Sequence, residues 1–323
     1  LDESGIELVR GSVCDSQTCV DALAGIDTIV HLAAETGTGQ SMYEIRRYLD
    51  TNVTGTGVLL EACIQKQVRK VVLSSSRAVY GEGMWICARC GPVHPSLRPS
   101  GTGPSNNWAP LCPTCQAHVV DLLPTPEDAP NDPTSVYGIS KLTQELLVRR
   151  LREAHSLDVS ILRFFNVFGP GQSLSNPYTG VLAVFLNRAR QNRTIDLYED
   201  GQIIRDFVFV DDVVEAVAAA IRVHNPPVCN IGSGRIASIR ELAETITRLV
   251  DSVSHLVITG KGRAGDVRGL QADINRAANA LAWAPQVSLE EGLEHFVAWA
   301  ACQPFEDLYE QSLSELSLRG LYR

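Results

Sequence analysis

Most of the strand-like runs in this chain are apolar almost without interruption, and stretches of helical periodicity separate them. The runs are Ile6–Val9, Thr28–Leu32, Val68–Ser74, Val159–Phe165 and Val228–Ile231, with helical patterns at Ser16–Ala24, Ser41–Gln65 and Ser135–Glu153. A strand that is apolar on both sides has to be covered on both sides, and intervening helices supply the cover. The alternation therefore predicts an α/β fold built on a doubly wound parallel sheet. After Asn166 the pattern changes. Short strand-like pieces (Thr194–Tyr198, Phe207–Val210, Leu256–Thr259) mix with helices at Asp211–Val223, Ile239–Val250 and Leu289–Ala300, as in a smaller C-terminal lobe. The expected division is 1–165 for the sheet domain with an insert at 84–120, 166–302 for the second lobe with some returning sheet elements, and 303–323 for a helical tail without a motif.

The 323 residues carry a formal charge of −9. That balance repels a nucleic-acid backbone, and no basic run offsets it. No apolar stretch approaches the roughly 18 residues that a transmembrane helix needs. The start, Leu1-Asp-Glu-Ser-Gly5, lacks the basic and apolar regions of a signal peptide. Of nine cysteines, Cys14, Cys19, Cys63, Cys229 and Cys302 are scattered among apolar elements, and four form two Cys-x-x-Cys pairs. An odd, scattered set suits reduced thiols in the cytoplasm better than a disulfide framework.

The run Val68–Ser74 leads into Ser74-Ser-Ser-Arg-Ala-Val-Tyr-Gly81, and a helix capped within Asn131–Ser135 then carries Tyr137-Gly-Ile-Ser-Lys141. Tyr137 and Lys141 are one turn apart and share a helix face. An ammonium beside a phenol favours the phenolate, lowering a pKa that otherwise sits near ~10, so Tyr137 is a candidate general base. Ser76 ends a buried strand, where open α/β sheets bind ligands, and can hydrogen-bond the same substrate oxygen. Each signal alone is weak, because a Tyr-x-x-x-Lys pair on an arbitrary helix is seldom catalytic and serines end many strands. Their order, with a buried strand on either side of the capped helix, makes a redox catalytic set the better reading.

Between the two parts of this set lie Cys87-Ala-Arg-Cys90 and Cys112-Pro-Thr-Cys115, with a Cys-x2-Cys-x21-Cys-x2-Cys spacing close to that of a zinc ribbon. Four thiolates leave no open coordination position, so Cys87, Cys90, Cys112 and Cys115 predict a structural zinc. The plainer alternative is four reduced thiols, or two disulfides, in an exposed loop. His94 and His118 as substitute ligands would break the symmetric pattern. Gly91–Pro110, rich in proline and glycine, reads as loop. Arg89, Arg98, Trp85 and Trp108 do not make the insert basic enough for a nucleic-acid module.

With these pieces in order, the chain resembles the extended short-chain dehydrogenases/reductases, specifically the NAD-dependent nucleotide-sugar epimerases and dehydratases. From about Gly11 to Trp299 the resemblance is carried by His31-Leu-Ala-Ala34, Asn52-Val-Thr-Gly-Thr56, Ser74–Gly81, Tyr137–Lys141 and Leu162-Arg-Phe-Phe-Asn-Val-Phe-Gly-Pro-Gly171. Later come Arg205-Asp-Phe-Val-Phe-Val-Asp-Asp212, Asn230-Ile-Gly-Ser-Gly234 and Gly265-Asp-Val-Arg268. Arg77-Ala-Val-Tyr-Gly-Glu82 followed by two Cys-x-x-Cys pairs is similar to a narrower group, the dTDP-L-rhamnose 4-epimerase-like proteins.

The resemblance implies a Rossmann-like sheet domain that holds NAD with Val13, Leu32, Ala33, Ala34, Asn52, Ser74, Tyr137, Lys141 and Phe164. It implies a nucleotide-sugar substrate held by Ser76, Asn166, Asp196, Tyr198, Arg205 and Arg263. The two arginines would take the diphosphate, whose oxygens suit guanidinium forks, although a lone arginine is as often found in a surface ion pair. By their position, Asp196 and Tyr198 are expected at the nucleobase pocket. A homodimer through Ser41–Gln65 and Ser135–Glu153 is implied as well. Relatives that dehydrate sugars carry acidic residues beside the serine, and Ser76-Arg77-Ala78 has none. That favours transient oxidation: Tyr137 takes the C4 hydroxyl proton, NAD takes the hydride, and the hydride returns to the other face of the 4-keto sugar. A UDP-sugar 4-epimerase, a 4-keto-sugar reductase and a catalytically silent sugar-nucleotide-binding protein are the alternatives.

The family begins with a strand, a glycine-rich turn and a helix that holds the NAD pyrophosphate. No GxGxxG or GxxGxxG precedes the first matching motif here, and Gly232-Ser-Gly234 lies too far downstream. Ile6–Val9 with Gly11-Ser12-Val13 resembles the third strand of the family, with Ser12 where an acidic residue is usual and Asp15 nearby. The resemblance thus implies that one βαβ unit of roughly 40–50 residues is absent, and that the chain as given binds NAD weakly or not at all.

Overall fold

In the computed structural model, which describes residues 5–98, 108–178 and 180–322, four parallel strands form the central sheet. Their order is Thr28–His31, Lys70–Ser76, Asp158–Phe164 and Cys229–Ile231. Lys70–Ser76 is buried at every position, because an apolar core lies on each face. On one side Val71, Leu73, Val159 and Ile161 meet Leu59, Leu60, Cys63 and Val148 of the helices Gly55–Gln65 and Val136–His155. On the other, Val72, Leu162 and Ile231 meet Val213, Ala216, Ala277 and Leu281 of the helices Val210–Arg222 and Asn275–Leu281. Covering a large apolar side chain contributes on the order of 1.5–3 kcal/mol, and the continuous apolar runs gain it on both faces. Among the described residues no helix is long and apolar enough to cross a membrane.

Three expectations are corrected. Ile6–Val9 is not a strand: it pairs with no neighbour among the described residues, and Ile6, Leu8 and Val9 are about half exposed. An apolar run without a partner for its N–H and C=O groups does not make sheet. The single helix expected over Ser41–Gln65 is broken into Thr38–Ser41, Ile45–Leu49, a π-turn at Asp50–Thr54, and Gly55–Gln65. The π-turn includes Asn52, which is fully buried, and such turns recur at functional sites. Within the loop expected over Gly91–Pro110, Gly91–Val93 is a strand, antiparallel to Met84–Cys87; residues 99–107 lie outside the described part. The hairpin pairs through Asp121–Thr125 with Gly269–Ala272, so the cysteine insert is stitched to strands from the second half of the chain.

That second half has its own core, in which Phe168, Leu186, Ile195, Leu197, Phe209, Leu242, Ile246 and Phe296 are buried together. The tail forms a helix at Tyr309–Leu318.

Below the carboxyl end of the central sheet sits a fully buried arginine, Arg163. Its Nε and Nη2 donate to the two oxygens of Glu145 at 2.9 and 2.8 Å, and Nη1 donates to the Glu127 carbonyl at 2.9 Å. The guanidinium lies 4.7 Å over the Tyr80 ring. Removing one partner of such a pair leaves a buried charge unpaired. Glu145→Ala is therefore expected to cost about 3–5 kcal/mol, read as a lower urea midpoint at unchanged slope. A midpoint equal to that of the parent protein would show that water reaches Arg163.

Candidate active site

The helix Val136–His155 starts where the Ser135 side chain accepts from Gly138 N at 3.1 Å. Gly138 lets this helix press on the 3-10 turn Arg77–Val79. A Cβ there would lie 2.5 Å from the Ala78 carbonyl oxygen and 2.9 Å from Pro133 Cβ. The turn in turn is capped by Ser76, whose Oγ accepts from Ala78 N at 3.1 Å. The result is that Ser76, Tyr137 and Lys141 line one cavity of about 630 Å³ at the carboxyl ends of the central strands. Leu32, Ala34, Ser74, Phe164 and Asn166 line it too. Asn166 Oδ1 is buried there without a hydrogen-bond partner among the described residues.

The electrostatics differ from the expectation in one respect. Lys141 Nζ donates to the Ser74 carbonyl at 2.8 Å, and burial pushes the ammonium down to about 8 against the pull of Glu145. Burial also raises the Tyr137 phenol, and the groups that oppose it are the Ser76 hydroxyl and the Arg77 cation rather than Lys141. The lysine head is committed to the strand, so its effect on the phenol is smaller than helix spacing predicts. Asn52 stands behind the cavity wall. It donates to Ser140 Oγ at 2.9 Å and brackets Glu35, accepting from its N–H at 2.8 Å and donating to its carbonyl at 3.0 Å. Ser140 Oγ donates to the Tyr137 carbonyl at 2.8 Å, so Asn52 ties the loop after Thr28–His31 to the tyrosine helix. His31, in contact with Thr56 at 2.9 Å, is pushed down to about 4 by burial and by Lys141, which keeps it neutral. Three expected cofactor residues do not reach the cavity wall: Asn52 stands behind it, Ala33 is exposed, and Val13 packs beside Gly55.

A second cavity of about 170 Å³ adjoins the first and shares Arg77, Asn166 and Tyr178 with it. Asp196, Tyr198, Arg205 and Arg263 line it, joined by Asp266 and by Tyr309, Ser312 and Leu316 of the tail helix. Arg263 Nε donates to Asp266 at 2.9 Å, and its guanidinium carbon lies 5.3 Å from the Tyr198 ring centre. Burial works against the Asp266 carboxylate, but Arg263 and Arg205 hold it below the usual range. Arg205 is buried and makes no ion pair within 4 Å among the described residues, so a surface salt bridge is not its role. Tyr309 donates to Asp196 Oδ2 at 3.0 Å.

Sequence reasoning did not assign Arg77, Asp266 or Tyr309. The first two sit inside the quoted motifs, so their position was available; Tyr309 has no local signal. The Gly232-Ser-Gly234 turn offers nothing to a phosphate, because Asp206 accepts from Ser233 N at 2.7 Å and Gly234 N at 3.0 Å.

The sulfurs of Cys87, Cys90, Cys112 and Cys115 lie within 4.8 Å of one another, and all four cysteines are free. Tetrahedral zinc with Zn–S near ~2.3 Å needs sulfurs about 3.8 Å apart, so the set fits such an ion. Backbone N–H groups of Cys115 and Thr114 lower the Cys112 thiol toward the thiolate, while its cysteine neighbours raise Cys90. His94 bonds the Tyr80 carbonyl and His118 the Ala109 carbonyl, so neither joins the cluster.

A sequence profile described as the NAD dependent epimerase/dehydratase family matches residues 1–96 and 115–232, and the gap between them falls in the cysteine insert. The chain is 40% identical over 303 residues to a dTDP-L-rhamnose 4-epimerase of Burkholderia thailandensis, across 91% of this chain and 81% of the relative. It is 28% identical over 276 residues to a UDP-glucuronate 4-epimerase of Thermodesulfobacterium geofontis, across 85% and 72%. Among solved structures it resembles a UDP-glucose 4-epimerase of Thermotoga maritima with UDP-glucose, at TM-score 0.75 and 30% identity over 91% of this chain and 84% of that one. MoeE5 in complex with UDP-glucose and NAD matches at TM-score 0.72 and 30% identity over 91% and 85%.

Proposed function

The chain belongs to the NAD dependent epimerase/dehydratase family, and on that premise we propose that it is an NAD-using nucleotide-sugar 4-epimerase whose best-supported substrate is dTDP-L-rhamnose. One observation carries the reading: the cavity lined by Ser76, Tyr137 and Lys141 opens onto a second one lined by Arg205 and Arg263. The hexose would occupy the first and the diphosphate the second, with the base toward Asp196 and Tyr198.

The residues present fit the nicotinamide end of NAD. Leu32 and Ala34 supply apolar wall, Lys141 an ammonium for ribose hydroxyls, and Asn166 an acceptor without a partner. NAD, when bound there, would supply the hydride acceptor and donor for C4 of the sugar. Tyr137 would take the C4 hydroxyl proton and later give it back. Ser76 would hold the same oxygen, and the Arg77 cation would favour the phenolate.

We assign a structural zinc to Cys87, Cys90, Cys112 and Cys115, supported by the fit of the four sulfurs. A homodimer is supported by the exposure of Ile45, Leu49, Ile139 and Leu146 on the two helical segments expected at its interface. Nine free cysteines support a reducing, cytoplasmic setting. The division into 1–165 with its insert at 84–120 and a second lobe at 166–302 follows the same reading. The tail, 303–323, would serve the second lobe, since Tyr309 lines the nucleotide cavity.

The test is incubation with NAD and a panel of dTDP-, UDP- and GDP-sugars, with products identified by NMR. Formation of the C4 epimer of dTDP-L-rhamnose is the expected outcome. Turnover confined to UDP-sugars would favour the second reading, a UDP-sugar 4-epimerase, for which the likeness to the Thermotoga maritima enzyme speaks. No turnover of any sugar by protein shown to hold NAD would overturn both.

A further inference from the structure

Arg77 stands where the two cavities meet. It lines both, together with Thr38, Asn166 and Tyr178, whereas Arg205 and Arg263 line only the nucleotide side. Its backbone is fixed. It follows Ser76 directly, in the turn that Ser76 caps and against which Gly138 lets the tyrosine helix press. Its side chain is half-buried and has no hydrogen bond or ion pair among the described residues. The charged groups around it are Arg205, Asp266, Tyr137 and Asp206. Asp266 is committed to Arg263, and Asp206 to Ser233, Gly234 and Ala272. An enclosed guanidinium with another guanidinium for a neighbour is costly unless something outside the chain supplies acceptor oxygens.

We propose that Arg77 is a substrate-specificity residue that grips the hexose itself, donating to sugar oxygens between C4 and the diphosphate and so holding C4 at Tyr137. The proposal rests on the 4-epimerase reading. Its position on the Tyr137 side of Arg205 and Arg263 distinguishes this role from that of a third diphosphate ligand. It also bears on which reaction runs. A guanidinium has donors only and stays protonated, so the group next to Ser76 cannot remove a carbon-bound proton, and elimination of water finds no base there. The same cation, close to Tyr137, favours its phenolate.

The experiment compares binding of dTDP and of dTDP-L-rhamnose to the protein without added NAD by titration calorimetry, for the parent protein, Arg77→Ala and Arg77→Lys. Arg77→Ala is expected to weaken dTDP-L-rhamnose by about 10–100-fold and dTDP by less than about 3-fold. The acid limb of kcat/KM should move to higher pH, because the phenol loses a cation that favours its ionised form. Arg77→Lys should keep the limb in place and still lose affinity, since an ammonium lacks the fork. If Arg77→Ala fails to fold, Arg77→Lys carries the same comparison. Equal weakening of both ligands would make Arg77 a diphosphate ligand and overturn the proposal; unchanged affinity for dTDP-L-rhamnose would overturn it too. The binding comparison needs no turnover. Failure of the 4-epimerase reading would therefore show separately, as a sugar nucleotide that the parent protein binds and leaves unchanged.

Discussion

Tyr137→Phe is expected to lower kcat by about 10²–10⁴-fold, the range lost with a positioned general base, and to leave the affinity for NAD and sugar nucleotide nearly unchanged. The substitution keeps the ring, which meets Tyr48 edge-on at 6.5 Å, so the helix Val136–His155 keeps its seat and only the hydroxyl is lost. No other phenol on the cavity wall can replace it. Tyr178 lines the same space, but burial and its bonds to Glu315 and Tyr43 push its phenol far above the usual range. The pH profile of the parent protein follows from the same groups. Burial raises the Tyr137 phenol, so kcat/KM should climb with pH as the phenolate forms. Lys141 is pushed down to about 8, so above that value the cation is lost while the phenolate is still forming, and the climb of kcat/KM should flatten there. Steady-state kinetics across pH checks both the climb and the flattening. Turnover by Tyr137→Phe within a few-fold of the parent protein would remove this residue from the mechanism.

What the sequence made legible is what depends on burial or on local capping. The central strands appear within two residues of their expected places because Val71, Val72, Leu73, Val159 and Ile161 are apolar for the reason inferred, helices on both faces. Ser76, Tyr137 and Lys141 share a cavity because a capped helix that carries Tyr137 and Lys141 one turn apart packs beside the serine strand. Properties that depend on distant partners were not legible. Whether Lys141 acts on the phenol is decided by where Nζ finds an acceptor, and it finds the Ser74 carbonyl. Arg77, between a serine and an alanine, looks like any surface arginine until the cavities are seen to meet at it. Tyr309 reaches Asp196 across 113 positions of chain, which no local pattern encodes. Strands of three or four residues in the insert, such as Gly91–Val93, are too short for an alternating pattern to stand out from proline and glycine.

Loss of the metal should act on substrate affinity more than on the chemical step. The core around the cysteines is Trp85, Cys87, Val93, Cys112 and Val119, and two of these five belong to the proposed zinc set. So small a core cannot order the insert alone, and in small zinc domains the metal supplies apparent folding free energy of about 10–16 kcal/mol. The insert reaches the nucleotide cavity through Arg98. Its Nη2 donates to Glu199 at 2.8 Å, its Nε to Glu82 at 3.3 Å, and its Nη1 to the Trp108 carbonyl at 3.0 Å. Glu199 follows Tyr198 in the chain and also accepts from Arg268 at 2.8 Å, while Glu82 receives the Arg268 N–H at 2.9 Å. If the insert loosens, Arg98 leaves two buried carboxylates short of a cation beside the wall that carries Tyr198. Purified protein is expected to hold one zinc per chain by atomic emission, and Cys112→Ser to lose it together with several degrees of thermal midpoint. With the metal gone, KM for the sugar nucleotide should rise by about 10-fold or more, while kcat changes by less than about 3-fold, because Ser76, Tyr137 and Lys141 are held by the sheet and not by the insert. A metal-free protein with unchanged KM would separate the four cysteines from the nucleotide cavity. A collapse of kcat at unchanged KM would mean that the insert positions Tyr137, a coupling for which Gly81 and the turn Arg77–Val79 are the only short route along the chain.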